Sequence, residues 1–140
     1  MPINEHPKGK KKSQILEFID YYQSAGIQHL ALSTDNILET IKNFKLNGVE
    51  FLNTPKSYYE SLESRVGKID ENIDELSKYG ILVDFDENGY LLQIFTKPLQ
   101  DRPTLFFEII QRKGSSSFGK GNFKALFQSI EKEQLKRGNL

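Results

Sequence analysis

The stretch ILVDFDENGYLLQIF, residues 81–95, decides the fold. Apolar residues alternate with other residues in its first half, which is typical of a β-strand. The dipeptide Asn88-Gly89 strongly indicates a hairpin, because it favours the tight turn that joins two twisted strands. Residues 90–95 are therefore predicted to return as the partner strand, and residues 104–112 to form another strand.

Upstream of the hairpin, the sequence predicts a strand followed by a helix. The short apolar segment 27–32 is typical of a buried strand. Thr34 or Asp35 can cap the next helix, whose apolar positions recur at helical spacing. Gly48 is expected to end that helix, and residues 49–52 predict a second short strand.

Further segments complete the predicted secondary structure. The capping-box pattern Ser57-Tyr-Tyr-Glu60 starts a second helix, and an apolar stripe at positions 69, 73 and 76 indicates a third. Asn122 can cap a last helix after a loop rich in glycine and serine. Near the amino terminus, residues 13–22 are predicted as a strand that enters a short loop.

These elements predict a single α+β domain over residues 1–140, with a module of βαβββ type. We expect an incoming strand and loop in 1–25, the module in 26–112, and a loop with a C-terminal helix in 113–140. A chain of 140 residues and 16.1 kDa is enough for one domain with a modest core.

Composition excludes several functional classes. With 19 basic and 19 acidic residues the formal net charge is zero, so binding to nucleic acid or to an anionic membrane is not expected. No apolar run is long enough to span a membrane, and no secretory signal is visible, so we expect a cytoplasmic protein. The absence of cysteine excludes disulfides and thiol nucleophiles, and leaves two histidines for metal binding.

Two strands each place one possible metal ligand on an otherwise apolar face. By strand alternation, Glu108 shares its face with apolar neighbours at 106 and 110, and His29 shares its face with 27 and 31. An imidazole and a carboxylate suit Fe(II), Mn(II) or Zn(II). Alternatively, His29 is a satisfied core histidine and Glu108 pairs with Arg102 or a lysine.

Other side chains could line a pocket beside these two. Gln93 lies on the hairpin strand with Phe95 on its face, and a buried primary amide needs partners or a ligand that supplies them. The alternative for Gln93 is a hydrogen bond to a loop backbone. Phe118 and Phe123 could belong either to the core or to the aromatic walls of a pocket.

Longer motifs give a more specific indication, and they extend over residues 2–140. The chain resembles the 4-hydroxyphenylpyruvate dioxygenase family in these motifs. They are Lys11-Lys-Ser-Gln14-Ile15, Gly26-Ile-Gln-His29-Leu-Ala-Leu32, Leu91-Leu-Gln93-Ile-Phe95-Thr96, Arg102-Pro-Thr104, Phe107-Glu108-Ile-Ile-Gln-Arg112, Phe118-Gly-Lys-Gly-Asn-Phe123-Lys-Ala-Leu-Phe127 and the ending Glu131-Lys-Glu-Gln-Leu-Lys-Arg-Gly-Asn-Leu140.

This resemblance implies the vicinal-oxygen-chelate fold of glyoxalases and dioxygenases, in which βαβββ modules pair into an open barrel. The present chain would then form a partial barrel. It also implies Fe(II) held by two histidines and one glutamate, and conversion of 4-hydroxyphenylpyruvate and O2 to homogentisate and CO2 in tyrosine catabolism. His29 matches the family's second histidine ligand, and Glu108 matches the carboxylate ligand.

The resemblance extends to residues that contact the substrate. The glutamines among them are Gln14, Gln28 and Gln93, although strict strand alternation would point Gln28 away from His29. The aromatic residues that match the pocket lining are Phe95, Phe118 and Phe123. Asn122 resembles a residue of the lid helix that shapes the pocket entrance.

The chain departs from the family pattern at the first histidine ligand, which lies before the segment Pro2-Ile-Asn-Glu5. His6 stands where the family has a residue that is not a ligand. We therefore expect a C-terminal fragment of the catalytic domain that is completed by a missing N-terminal portion or by a second copy. Two copies paired isologously would contribute two His29 and two Glu108 side chains.

Alternatives of other kinds remain open. One is an enzyme that resembles hydroxymandelate synthase, with similar ligands and substrate but with hydroxylation of the side chain. Another is a fragment without catalytic activity that only folds, oligomerises or binds a ligand. Iron content and product analysis distinguish these alternatives from the dioxygenase.

Overall fold

A mixed four-stranded sheet forms the centre of the computed structural model, which describes residues 3–5, 12–100, 102 and 105–138. The spatial order is β1-β4-β3-β2, with β1 parallel to β4 and the other neighbours antiparallel. The strands are β1 His29–Ser33, β2 Leu82–Asp86, β3 Gly89–Phe95 and β4 Phe106–Lys113.

Helices connect and cover the strands. The element order has β1 first, then helices, then β2, β3 and β4 in succession, which confirms the predicted βαβββ arrangement. The helices are α1 Gln14–Tyr22, α2 Ile37–Leu46, α3 Ser57–Glu60, α4 Leu62–Val66, α5 Ile73–Tyr79 and α6 Phe123–Lys136, with a 3₁₀ turn at Lys120–Asn122 before the last.

One side of the sheet, which we call the helix-covered face, is apolar. It consists of Val83, Leu92, Ile94 and Ile109, each at most 2% exposed. Helices α2, α4 and α5 pack on it through fully buried aliphatic side chains such as Leu76, and α3 contributes Tyr59. Because successive side chains of a strand point to opposite sides, about half of the side chains of each strand lie on this face.

The other side, which we call the site face, combines apolar and polar side chains. It carries His29, Gln93, Phe95, Phe106 and Glu108, since residues paired across neighbouring strands point to the same side. Helix α6 covers part of it through a smaller buried apolar cluster. That cluster consists of Leu52, Leu82, Phe95, Phe106 and Leu126.

Strand β1 lies at one margin of the sheet and pairs with β4 alone among the described strands. Its side chains Leu30 and Leu32 are 43% and 46% exposed. The sheet is therefore open on this side in the part of the chain that the structure describes. An open mixed sheet with helices confirms the predicted α+β partial barrel.

The predicted strand at residues 13–22 is wrong, because this segment forms α1. Ser13 is its N-cap, and the Ser13 hydroxyl accepts a hydrogen bond from the Leu16 amide at 3.2 Å. The apolar residues of the segment are spaced at i, i+3, i+4 and i+7, which is the spacing of one helix face. Phe18 from this face is buried, and Gln23 ends the helix in the left-handed region with φ 57°.

Two predicted caps are also wrong. Asn36, rather than Thr34 or Asp35, caps α2 by accepting the Glu39 amide. Ser57 is the first residue of α3 and no side chain caps that helix, so the proposed capping box does not form. The sequence does not distinguish between several short polar residues near a helix start, because each of them could cap the helix. The residue that caps it is the last one with an extended backbone, here Asn36.

Two predicted segments differ in extent. Residues 49–52 form no strand; an isolated bridge joins Phe51 to Thr96. The hairpin forms where it was predicted, but Glu87 and Asn88 are its two turn residues, with Gly89 already in β3. No described helix is long and apolar enough to cross a membrane.

Candidate metal centre

The two predicted metal ligands lie side by side on the site face. His29 begins β1 and Glu108 lies in β4, the parallel neighbour, two residues beyond the position that pairs with His29. The His29 Nε2 and Glu108 Oε2 atoms are 3.4 Å apart, and the two side chains are 24% and 7% exposed. The strand pairing therefore joins an imidazole and a carboxylate that are far apart in sequence.

Aromatic rings and a glutamine hold the His29 ring in place. The ring stacks on Phe106 at 5.1 Å between centroids with 19° between planes, and meets Phe95 edge-on at 6.0 Å. Its Nδ1 atom is 3.2 Å from Oε1 of Gln28. When Nδ1 carries the proton and donates it to Gln28, Nε2 keeps its lone pair for the side of Glu108.

Gln28 links the imidazole to α1. It lies before the first residue of β1, so strand alternation does not point it away from His29. Its Nε2 donates a hydrogen bond to Gln14 Oε1 at 2.6 Å, and Gln14 is the buried first residue of α1. Because this segment forms a helix rather than the predicted strand, Gln14 lies next to Gln28 at this site.

The second oxygen of Glu108 is bound by Gln93. Gln93 Nε2 donates to Glu108 Oε1 at 3.1 Å, and Gln93 Oε1 accepts from Asn122 Nδ2 at 3.1 Å. Gln93 and Asn122 are each 1% exposed. Asn122 stands at the N-cap position of α6, yet its side chain caps no helix amide. Its Nδ2 atom binds Gln93 and its Oδ1 atom binds Tyr58 instead.

The loop that carries Asn122 is fixed against the sheet. Gly119 has φ +71°, and a Cβ there would overlap the side-chain amide of Gln93. The Gly121 amide donates to Asp84 Oδ2 at 2.8 Å, and Asp84 is a buried carboxylate of β2. The absence of side chains at both glycines lets this loop approach the strands closely.

The three predicted aromatic residues differ in position. Phe95 is 4% exposed and contacts the His29 ring. Phe118 is 55% exposed on the loop. Phe123 is half-buried at the start of α6, with its ring 6.0 Å from that of Phe127. The structure thus brings Phe95 to the imidazole and leaves Phe118 largely in solvent.

Space for a ligand adjoins the glutamines. A small cavity of about 20 Å³ lies between α1 and α6, beside Gln14, Gln28 and Phe106. A wider groove of about 360 Å³ ends at Gln28 and His29. Its remaining walls are mostly apolar side chains of the amino-terminal region, such as Ile15 and Ile27.

The donor set fits part of a metal site. Two donors of one ion, each about 2.1 Å from it and at a right angle, stand about 3 Å apart, which is close to the separation of Nε2 and Oε2 here. Among the described residues, no group of three or more His, Asp or Glu side chains is placed to hold a metal ion. His6 lies outside the described residues. Arg102, the alternative partner of Glu108, has its guanidinium over the ring of Tyr21 instead.

Three contributors to the site, Phe106, Asp84 and Tyr58, are not among the predicted site residues. Strand alternation predicts that Phe106 shares the face of Glu108, but it does not predict the stacking of Phe106 on the His29 ring. Asp84 follows the same rule on β2, between two apolar strand positions. Tyr58 gives no such indication, because its contact with Asn122 joins residues 64 positions apart on different elements.

The chain is similar to known proteins of one family. The family model described as Glyoxalase/Bleomycin resistance protein/Dioxygenase superfamily matches residues 1–94. The chain is 56% identical to a 4-hydroxyphenylpyruvate dioxygenase of Yarrowia lipolytica and 60% identical to one of Caenorhabditis briggsae. Both alignments include all of this chain, which spans only 36% and 37% of the length of those relatives.

Solved structures give the same relationship. A triple mutant of 4-hydroxymandelate synthase from Streptomyces coelicolor superposes with a TM-score of 0.78 at 41% identity, over 87% of this chain and 34% of that one. A fusion of a xylose isomerase-like TIM barrel with a 4-hydroxyphenylpyruvate dioxygenase superposes with a TM-score of 0.69 at 36% identity, over 76% of this chain and 17% of that one.

Proposed function

Because the chain belongs to the glyoxalase/bleomycin resistance protein/dioxygenase superfamily, we propose that it contributes two ligands and the substrate-binding glutamines of a 4-hydroxyphenylpyruvate dioxygenase. The proposed reaction converts 4-hydroxyphenylpyruvate and O2 to homogentisate and CO2, as a step of tyrosine catabolism. The observation that carries the proposal is the pairing of His29 with a nearly buried Glu108, 3.4 Å apart. The names of the similar proteins support it further.

His29 and Glu108 are the residues that would hold Fe(II), as two members of a two-histidine, one-carboxylate set. When bound, the iron supplies the redox chemistry that O2 requires to react with an aromatic 2-oxo acid. The chain itself orients both ligands. Phe106 and Phe95 fix the plane of the imidazole, while Gln93 binds the carboxylate oxygen that faces away from His29.

The glutamines are suited to bind a polar, partly anionic substrate. Each primary amide offers donors and an acceptor without a charge of its own, so it can bind a carbonyl, a carboxylate or a phenol. Gln28 and Gln14 approach the imidazole from α1, and Gln93 approaches from β3. The apolar walls of the adjoining groove would exclude water from an aromatic ring.

The third iron ligand comes, in this proposal, from a longer form of the protein or from a second copy of the chain. The exposed Leu30 and Leu32 on the outer strand of the sheet support association at that edge, because a free strand edge with apolar side chains favours pairing. An isologous pair would place two imidazoles and two carboxylates together. Light scattering tests this part: a monomer that holds no iron contradicts pairing.

An alternative reaction has structural support of its own. The similarity to a 4-hydroxymandelate synthase, with a TM-score of 0.78, favours an enzyme that oxidises the same class of aromatic 2-oxo acid at the side chain. Both reactions consume O2 and release CO2, so oxygen uptake does not separate them. Chromatography of the products does, because homogentisate and hydroxymandelate carry the new hydroxyl on different carbons.

The decisive experiment loads the purified chain with Fe(II) without oxygen, and then adds O2 and 4-hydroxyphenylpyruvate. We expect bound iron and homogentisate, both absent in Glu108→Ala. Bound iron with no product would support the metal site but contradict the proposed activity of this chain. No bound iron and no product would favour a fragment without catalysis.

A second variant separates substrate binding from metal binding. Gln93→Ala should weaken binding of 4-hydroxyphenylpyruvate more than binding of Fe(II), because Gln93 contacts Glu108 only through a hydrogen bond. Isothermal titration of each ligand measures this difference. An equal loss of both would indicate that Gln93 is structural.

A cytoplasmic location is also part of this proposal, on the basis of sequence composition. Cell fractionation followed by detection of the chain tests it. Recovery with a membrane or organelle fraction would contradict it.

A further inference from the structure

A chain of hydrogen bonds leads from the backbone of β2 to Glu108. The Val83 amide donates to Tyr58 Oη at 2.9 Å, and Oη lies 2.7 Å from Asn122 Oδ1. Asn122 Nδ2 then donates to Gln93, which donates to Glu108. The first donor is a backbone N–H, whose direction cannot change.

The later hydrogen bonds run in the same sense, with each residue donating to the next. Tyr58 Oη accepts from Val83, and its single proton has two acceptors within reach, Asn122 Oδ1 and the Val83 carbonyl at 2.8 Å. If the proton went to the carbonyl, two oxygen lone pairs would face each other 2.7 Å apart. With Asn122 Oδ1 on this side, the hydroxyl proton belongs to Asn122, and Nδ2 faces Gln93.

We propose that Tyr58 is a positioning residue that sets the orientation of the Asn122 and Gln93 amides, so that Gln93 presents its NH2 group to Glu108. This inference deepens the proposed function and rests on it, because it concerns the carboxylate that would hold the metal. Tyr58 itself is distant in sequence from both ligands and comes from the short helix α3.

The opposite orientation shows why this matters. If both amides rotated by half a turn, Asn122 would present Nδ2 to Tyr58, and Gln93 would present Oε1 to Glu108. A carbonyl oxygen beside a carboxylate oxygen is repulsive, and buried groups cannot exchange partners with water. The hydroxyl of Tyr58 stabilises the observed arrangement by donating to Asn122 Oδ1. Burial raises the pKa of Tyr58 above its ordinary value, so it stays a donor at neutral pH.

The test uses a matched pair of variants, Tyr58→Phe and Tyr59→Phe, in the full chain without metal. Each removes one hydroxyl from α3, but Tyr59 donates to the Ile81 carbonyl, and in the described part of the chain it makes no hydrogen bond to either amide. Nuclear magnetic resonance follows hydrogen exchange of the side-chain NH2 groups of Gln93 and Asn122. In Tyr58→Phe we expect exchange about tenfold faster at both groups, and in Tyr59→Phe the wild-type rate.

Backbone amides of β3 serve as the internal reference. If Tyr58→Phe leaves both NH2 groups at their wild-type exchange rates, the inference is wrong. It is also wrong if Tyr59→Phe accelerates them equally, because general loosening would then explain the effect. The wild-type chain gives a measurement that needs no variant: a nuclear Overhauser effect from the Tyr58 hydroxyl proton to Asn122 supports the inference, and one to Val83 alone overturns it.

A second readout uses the loaded enzyme. If iron-loaded chain turns over, Tyr58→Phe should raise KM for 4-hydroxyphenylpyruvate several-fold more than it lowers kcat, since the misdirected amides belong to substrate binding. If wild-type chain binds no iron, the proposed function fails, while the exchange rates still decide the role of Tyr58. If exchange is accelerated but KM is unchanged, Tyr58 orients the amides only in the metal-free chain, and its proposed role in the site is wrong.

Discussion

The two faces of the sheet use the same strands for different purposes. On the helix-covered face, Val83, Leu92, Ile94 and Ile109 form a continuous apolar layer that is almost completely buried. On the site face, apolar residues alternate across the strands with a cluster of a half-buried histidine, a buried glutamate and a buried glutamine. Neighbouring residues such as Leu92 and Gln93 thus belong to different environments.

The comparison shows how a small sheet can keep polar groups buried. Burying a carboxylate and two amides is costly unless each is hydrogen-bonded. The helix-covered face supplies apolar burial that does not depend on those groups. The site face can therefore hold side chains selected for binding, provided that every one of them finds a partner. Four predictions test this division, beginning with the largest effect.

The first prediction concerns the helix-covered face. Leu92→Ala should lower the free energy of unfolding by about 2–5 kcal/mol, because it leaves a cavity in a fully buried layer. Denaturation in urea measures the change. Leu32→Ala makes the same substitution on the same face at an exposed position, and should cost much less. Equal losses would mean that this face is not a continuous core.

The second prediction concerns the polar cluster. Glu108→Ala should lower Fe(II) affinity at least about a hundredfold, while the metal-free chain loses little stability because a buried charge disappears with the side chain. Metal titration and thermal unfolding of the same sample measure both. Glu50→Ala, which removes a carboxylate paired with Lys97 on the surface, should change neither. A large loss of stability in Glu108→Ala would make the cluster structural.

The third prediction concerns the loop over the site face. Gly119→Ala should lower stability by more than the cost of about 1–2 kcal/mol for a left-handed backbone, because its Cβ would also overlap Gln93. Gly48→Ala is the control, since Gly48 has φ +84° with open space around its Cβ position. Urea denaturation of both variants measures the difference. Equal costs would show that the loop does not press on Gln93.

The smallest effect is expected at the rim of the site face. The Ser115 hydroxyl is the main cause of a lowered Asp86 pKa, with help from the Asn88 amide. A depressed pKa in the folded state adds stability above the unfolded value of 3.8, and this stability is lost as the pH falls through the folded pKa. Between neutral pH and about pH 3, the melting temperature of Asp86→Asn should therefore fall less than that of the wild type.

Glu87→Gln in the same turn is the control for that experiment. It removes a carboxylate next to Asp86 without touching the bonds to residues 115–117. The variant should keep the wild-type dependence of melting temperature on pH. If Asp86→Asn follows the wild-type curve as well, the carboxylate does not hold this loop through its charge.

Much of the fold could be predicted from the sequence because strands have a period of two. Alternation placed His29 and Glu108 each on an inner face, and the hairpin at Asn88-Gly89 located β2 and β3. The structure adds what alternation cannot give, namely that β1 and β4 are neighbours. Parallel pairing between distant segments leaves no local mark in a sequence.

The errors have local causes. Residues 13–22 form a helix rather than the predicted strand, because Ile15, Ile19 and Tyr22 follow the spacing of a helix and Ser13 caps it. Asn122 stands at the predicted N-cap position of α6, but its side chain does not cap the helix. Tertiary partners, here Gln93 and Tyr58, outcompete a local cap when they are buried.

The parallel pairing of β1 with β4 also has a consequence for folding. The β2–β3 hairpin closes over a turn of two residues, whereas β1 meets β4 only after the chain between Ser33 and Phe106 has been brought together. Closing a loop of this length costs entropy that the contacts of β1 recover only at the end. Since His29 stands on one strand and Glu108 on the other, the pair forms only once this closure is complete. The candidate metal centre is therefore a property of the finished fold, and a partly folded chain with an intact hairpin would still lack it.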